Sequence, residues 1–112
     1  MIEQIVLNYL DENMDVGAYM EKPEEPEDEY ILIEKTSGAY ENFIASAEIV
    51  IQSYAGSLYR AAELNESVKQ TMENIIELDE ISKCSLNSDY NYTDTSKKQY
   101  RYQAVYDLVY FD

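Results

Sequence analysis

The chain has 112 residues, which is enough for one domain built on one hydrophobic core. It carries 23 Asp and Glu against 8 Lys and Arg, a formal net charge of −15, so binding to nucleic acid or to an anionic membrane would face net repulsion. It has no histidine and one cysteine, which removes the commonest metal ligand and the usual acid–base group of neutral pH.

From Ile2 to Asn13, the residues Ile2, Ile5, Val6, Tyr9 and Leu10 recur at helical spacing and predict an amphipathic helix. No basic, apolar leader of the signal-peptide type opens the chain, and its apolar runs are too short to span a membrane. With the single thiol of Cys84, this gives the expectation of a soluble protein in a reducing compartment. Val16 to Met20 reads as a short first strand. Glu21 to Glu29 holds six acids, one lysine and two prolines, and predicts a solvated loop.

Tyr30 to Thr36 alternates around Ile31 to Ile33 and predicts a strand, with Ser37 to Asn42 as the turn that follows. From Phe43 to Ala55 one face is almost wholly apolar (Phe43, Ala45, Ala47, Ile49, Ile51) and the other mixed, the pattern of a strand with one side on a core. Gly56 and Ser57 open the longest helical pattern, Leu58 to about Leu78, with Ala61, Leu64, Val68, Met72 and Ile75 on one stripe. Ile81 to about Tyr90 is a weaker strand, and Asn87 to Lys98 reads as polar and turn-rich. Strict alternation from Tyr100 to Tyr110 predicts a long, half-buried strand with an aromatic face. The expected fold is one α+β domain over residues 1–112. It has a small antiparallel or mixed sheet, with the N-terminal helix and one long helix packed on one face.

Carboxylates are the only plentiful reactive groups, and they cluster in a loop and on helix faces where water keeps them ordinary acids. The three glycines form no phosphate-binding motif. Asp89, Asn91 and Asp94 offer oxygen ligands but lack the calcium-loop spacing, so a polar turn is the expected reading. Cys84 has no histidine partner and reads as a structural thiol. These residues predict no catalytic, metal or cofactor site. The twelve tyrosines suit both sheet packing and a protein–protein interface.

Several segments together resemble the tail terminator, or tail-completion, proteins of long-tailed bacteriophages and prophages. They are Tyr30-Ile31-Leu32-Ile33-Glu34 after the acid–proline loop, Ile49-Val50-Ile51-Gln52-Ser53-Tyr54-Ala55, Arg60-Ala61-Ala62-Glu63-Leu64 after Ser57, and Arg101-Tyr102-Gln103-Ala104-Val105-Tyr106. The resemblance covers nearly the whole chain and rests on packing patterns. It implies a non-enzymatic structural protein that forms a homo-oligomeric ring, typically a hexamer. Such a ring would cap the tail tube and join it to the head–tail connector, first in the host cytoplasm and then in the virion tail. It implies no cofactor, no membrane and no direct nucleic-acid binding. Glu21, Glu24, Glu25, Glu27, Asp28, Glu29, Tyr40, Tyr90, Tyr92 and Arg101 are the candidate interface or lumen residues. Six copies would carry roughly −90, enough to repel DNA from an acid-lined channel. The alternative reading is an acidic DNA mimic that blocks a nucleic-acid-binding enzyme.

Overall fold

In the computed structural model, residues 1–111 are described; Asp112, the last residue of the expected domain, lies outside them. The fold is α+β, in two layers. The element order is α1 (Ile2–Asn13), β1 (Gly17–Tyr19), β2 (Tyr30–Glu41), β3 (Ile44–Ala55), α2 (Leu58–Met72), β4 (Ile81–Asn91) and β5 (Tyr100–Tyr110), with a 3-10 turn at Ile75–Glu77 before β4. The five strands lie in the order β1-β2-β3-β5-β4. β1 runs parallel to β2, and every other pairing is antiparallel, so the sheet is mixed.

Helix α1 buries Ile2, Val6, Tyr9 and Leu10, one stripe of its surface. Helix α2 starts where Ser57 Oγ accepts a hydrogen bond from Arg60 N at 3.2 Å, satisfying one of the open amides of the first turn. It turns Ala61, Leu64, Val68 and Met72 inward. Both helices pack on the same sheet face, against Ile31 and Ile33 of β2, Ile49 and Ile51 of β3, and Ala104, Tyr106 and Leu108 of β5. Burying an isoleucine stabilises a fold by about 1.5–3 kcal/mol, so this block holds the two layers together.

Three readings need correction. The turn expected at Ser37–Asn42 is strand: β2 runs on to Glu41, with a register shift between Lys35 and Ser37. Thr36 is the extra residue there, and it lets the chain continue past Ser37 and Gly38 without breaking its ladder with β3. The reversal falls instead at Asn42 and Phe43, both at positive φ (53° and 65°), between the paired residues Glu41 and Ile44. The long helix expected to reach Leu78 ends at Met72, and the chain tightens into the 3-10 turn around buried Ile75. The strand expected over Ile81 to about Tyr90 is β4, which reaches Asn91, so the turn-rich stretch expected from Asn87 begins only after Asn91; the pairing of β4 with β5 shifts register at Ser82 and at Asn87. Those two shifts break the alternation that identifies a strand from sequence.

Strands β2 and β3 have 12 residues each, about 40 Å of extended chain against a longest molecular dimension of 45 Å. The β2 side of this hairpin is buried only over its first residues and is exposed from Glu34 onward. The hairpin therefore reaches past the helices. None of the described helices is long and apolar enough to cross a membrane.

Candidate functional site

Because both helices share one sheet face, the other carries residues with no helix against them. The row at one end of that face crosses four strands in register. Tyr30 of β2 pairs with Tyr54 of β3, Tyr54 with Arg101 of β5, and Tyr92, just past β4, donates its backbone N–H to Arg101 O at 2.9 Å. The Tyr30 and Tyr54 rings stack at 4.7 Å and 5° between planes, and Tyr19 of β1 meets Tyr30 edge-on at 6.4 Å. The Arg101 guanidinium lies 4.6 Å from the Tyr92 ring centre and 5.7 Å from that of Tyr54. Cation–π attraction of this kind supplements the hydrogen bonds that fix the side chain.

Those hydrogen bonds all go to neutral acceptors. Arg101 Nε donates to Tyr92 O at 2.7 Å, and Nη1 donates to Tyr54 Oη at 3.1 Å and Gln99 Oε1 at 3.3 Å. Tyr54 Oη in turn donates to Gln52 Oε1 at 2.9 Å. Gln52 Nε2 donates to Gln103 Oε1 at 2.8 Å, and Gln103 Nε2 donates to Tyr90 Oη at 2.6 Å. Each amide is thus used as donor and as acceptor, and the network locks the orientations of side chains from β3, β4 and β5. Tyr30 and Tyr54 are buried within the row, and burial pushes the Tyr30 phenol above its ordinary pKa. Tyr90 and Tyr92 are 43% and 44% exposed and meet edge-on at 6.0 Å.

Among the described residues no carboxylate lies within 4 Å of Arg101, although acids outnumber cations almost three to one. The contrast with helix α2 is sharp. Arg60 is held by Glu29 at 2.8 Å and Glu63 at 2.7 Å, and Lys69 by Glu66 at 2.8 Å and Asp89 at 3.2 Å. Arg101 Nη2 makes no hydrogen bond to any described residue. The guanidinium is fixed on three sides and open on one.

Of the candidate residues, the structure brings together Tyr90, Tyr92 and Arg101. Tyr40 stands apart on the far part of the hairpin, paired with Ala45 and exposed. Glu21, Glu24, Glu25, Glu27 and Asp28 are exposed in the segment joining β1 to β2, at the opposite lateral edge. Glu29 is tied to Arg60, which holds its carboxyl below the usual range. Five contributors to the aromatic row and its network, Tyr19, Tyr30, Gln52, Tyr54 and Gln103, were missed by sequence reasoning. The signal available was the mixed face of β3 set against the odd positions of β5.

On the helix side, a groove of about 390 Å³ between α2 and β4 is lined by Glu66, Met72, Glu73, Cys84, Leu86 and Tyr106. Burial pushes the Cys84 thiol up to about 11 and raises the Tyr106 phenol, whose shift the neighbouring acids enlarge. Both stay protonated at neutral pH, so neither is an activated nucleophile or base. The three oxygen side chains weighed for calcium do not converge. Asp89 accepts from Asn65 and Lys69, Asn91 from Thr93 N, and Asp94 from Ser96 and Lys97. No protein-family model matches the chain, and no curated protein matches it either.

Proposed function

We propose that this chain is a structural protein that assembles with copies of itself into a closed ring of the tail-terminator kind, capping a tail tube and meeting a head-side connector. The observation that carries the reading is the tip of the β2–β3 hairpin. Phe43 sits there at φ 65°, a backbone region unfavourable to a bulky L-residue, and its side chain is 85% exposed. Neighbouring Tyr40 and Ile44 are exposed as well. An aromatic held in a strained turn and packed on nothing in its own chain gives the monomer only cost. A contact with a neighbour accounts for it.

The α+β architecture with its leading helix agrees with what the resemblance implies. Both lateral strands have open outer edges: β1 covers β2 only from Tyr30 to Leu32, and β4 has no outer neighbour among the described residues. Head-to-tail packing of such edges closes into a ring when the rotation between copies divides a full turn. The helix-free face carries Glu34, Glu48 and Asp107 beside its tyrosines, glutamines and Arg101, fewer carboxylates than the extended, phosphate-like array an acidic DNA mimic would need, which favours the assembly reading over the mimic. Molar mass by sedimentation across concentration, with negative-stain images, tests it. A discrete oligomer with a central hole is expected, and a chain that stays monomeric at every concentration, alone and with tail-tube protein added, would discard it.

A further inference from the structure

Arg101, with the two exposed tyrosines beside it, makes no ion pair with the densest acid cluster of its own chain. The residues from Lys83 to Phe111 carry four cations and three acids, whereas Glu21 to Glu29 carry six acids and one lysine. The first group builds the β4–β5 edge and the second joins β1 to β2, so the two lie at opposite lateral edges of one sheet. Arg101 on β5 stands two strand spacings, about 10 Å, from Tyr30 on β2, where the acidic segment ends. Glu29 also anchors one end of the acidic segment on Arg60, on helix α2. No carboxylate of the segment lies within 4 Å of Arg101 in its own chain, and a neighbouring copy could supply one.

The segment Met20-Glu21-Lys22-Pro23-Glu24-Glu25-Pro26-Glu27-Asp28-Glu29 suits that site in charge and in composition. The segment bends at Glu24–Glu25 and at Asp28–Glu29 and leaves Pro26 and the carboxylates from Glu21 to Asp28 exposed. Proline rings pack on exposed tyrosines in aromatic-lined grooves, and a carboxylate completes an arginine whose outer nitrogen is free. Tyr90 and Tyr92 supply the first, and Arg101, with Lys97 and Lys98 in the adjoining turn, the second.

We propose that the acid–proline segment of one copy docks on the Tyr90, Tyr92 and Arg101 surface of the next, with prolines against the tyrosines and glutamates toward Arg101. The proposal deepens the ring reading by naming a contact between copies. It assigns the acids of Glu21–Asp28 to that interface instead of to the lumen.

Two measurements on the full-length chain test it. In the first, sedimentation compares the parent chain with Arg101→Glu, with Glu24→Lys/Glu27→Lys, and with all three changes together. Each charge reversal alone should weaken association at least about tenfold, the scale of one lost charged hydrogen bond, and the combination should recover most of it. Recovery also shows that the substituted chains fold. In the second, a synthetic peptide spanning residues 20–29 is titrated into ¹⁵N-labelled chain. Amide shifts should gather at Tyr90, Tyr92 and Arg101, weaken with added salt, and vanish in Arg101→Glu. A ring that forms equally well in every variant would overturn the docking and leave the ring reading intact. A monomeric chain whose Tyr92 and Arg101 amides respond to the peptide would support the docking and remove the ring. A monomer with no such response would overturn both.

Discussion

Replacing Phe43 with glycine should move folding stability and self-association in opposite directions. At φ 65° the Phe43 Cβ crowds the backbone, and relief of a left-handed residue is worth about 1–2 kcal/mol. Glycine gives back about 0.5–1 kcal/mol in unfolded-chain entropy. The ring is 85% exposed, so little burial is lost with it. The net expectation is a gain of about 0.5–1 kcal/mol, which raises Tm by roughly 2–6 °C in a domain of this size. In an assembly where the ring is buried against a neighbour, the same change removes about 1.5–3 kcal/mol per contact, about tenfold or more in the association constant. Thermal unfolding followed by circular dichroism at low concentration reads the first quantity, and sedimentation velocity over a concentration series reads the second. A lower Tm would refute the strain argument. A higher Tm with unchanged association would show that the hairpin tip is not a contact between copies.

Three further outcomes follow from buried and paired groups. Ser53 is fully buried with no partner for its hydroxyl among the described residues, so Ser53→Ala should leave stability unchanged or raise it by up to about 1 kcal/mol in urea denaturation; a larger loss would reveal an acceptor that the hydroxyl serves. With its pKa near 11, Cys84 should react with a thiol reagent at pH 8 roughly two hundredfold more slowly than an unhindered cysteine, and at the ordinary rate once the chain is unfolded in urea. The Arg60 hydrogen bonds hold Glu29 below its unfolded pKa of about 4.3. Their stabilisation is complete above that value and is lost as pH falls through the folded one, so Glu29→Gln should flatten the acid limb of a plot of Tm against pH; a limb of unchanged steepness would place the linkage elsewhere.

Where period and punctuation agree, residue identity alone located the elements. Helix α1 spans Ile2–Asn13 as its apolar spacing predicts, and β5 spans Tyr100–Tyr110 as its alternation predicts. Punctuation misled at Ser37 and Gly38, which elsewhere mark a turn. Here cross-strand pairing with Ala47 and Glu48 of β3 holds them in the ladder, and the reversal moves to a pair of residues with no glycine. In β4 the two extra residues scramble the alternation, so tertiary pairing, invisible locally, decides the strand. The candidate surface was legible only in its outer members. Tyr90, Tyr92 and Arg101 stand out as aromatic and cationic residues near one another in sequence, but Tyr30 and Tyr54 join them only through register, which a linear reading does not contain. The parallel placement of β1 beside β2, which sends the acidic segment to the far edge, is likewise a property of topology.

The order of strands has a consequence for how the molecule is made. β5 is translated after all the others, yet it lies between β3 and β4 and bonds to both. Until it leaves the ribosome, β3 has an empty flank and β4 has no companion, so the nascent chain holds two hungry edges at once. Closure of the sheet is then a single late event, in which eleven residues slide in like a keystone. A chain cut short before Tyr100 would fail as a whole and would not merely lose a strand.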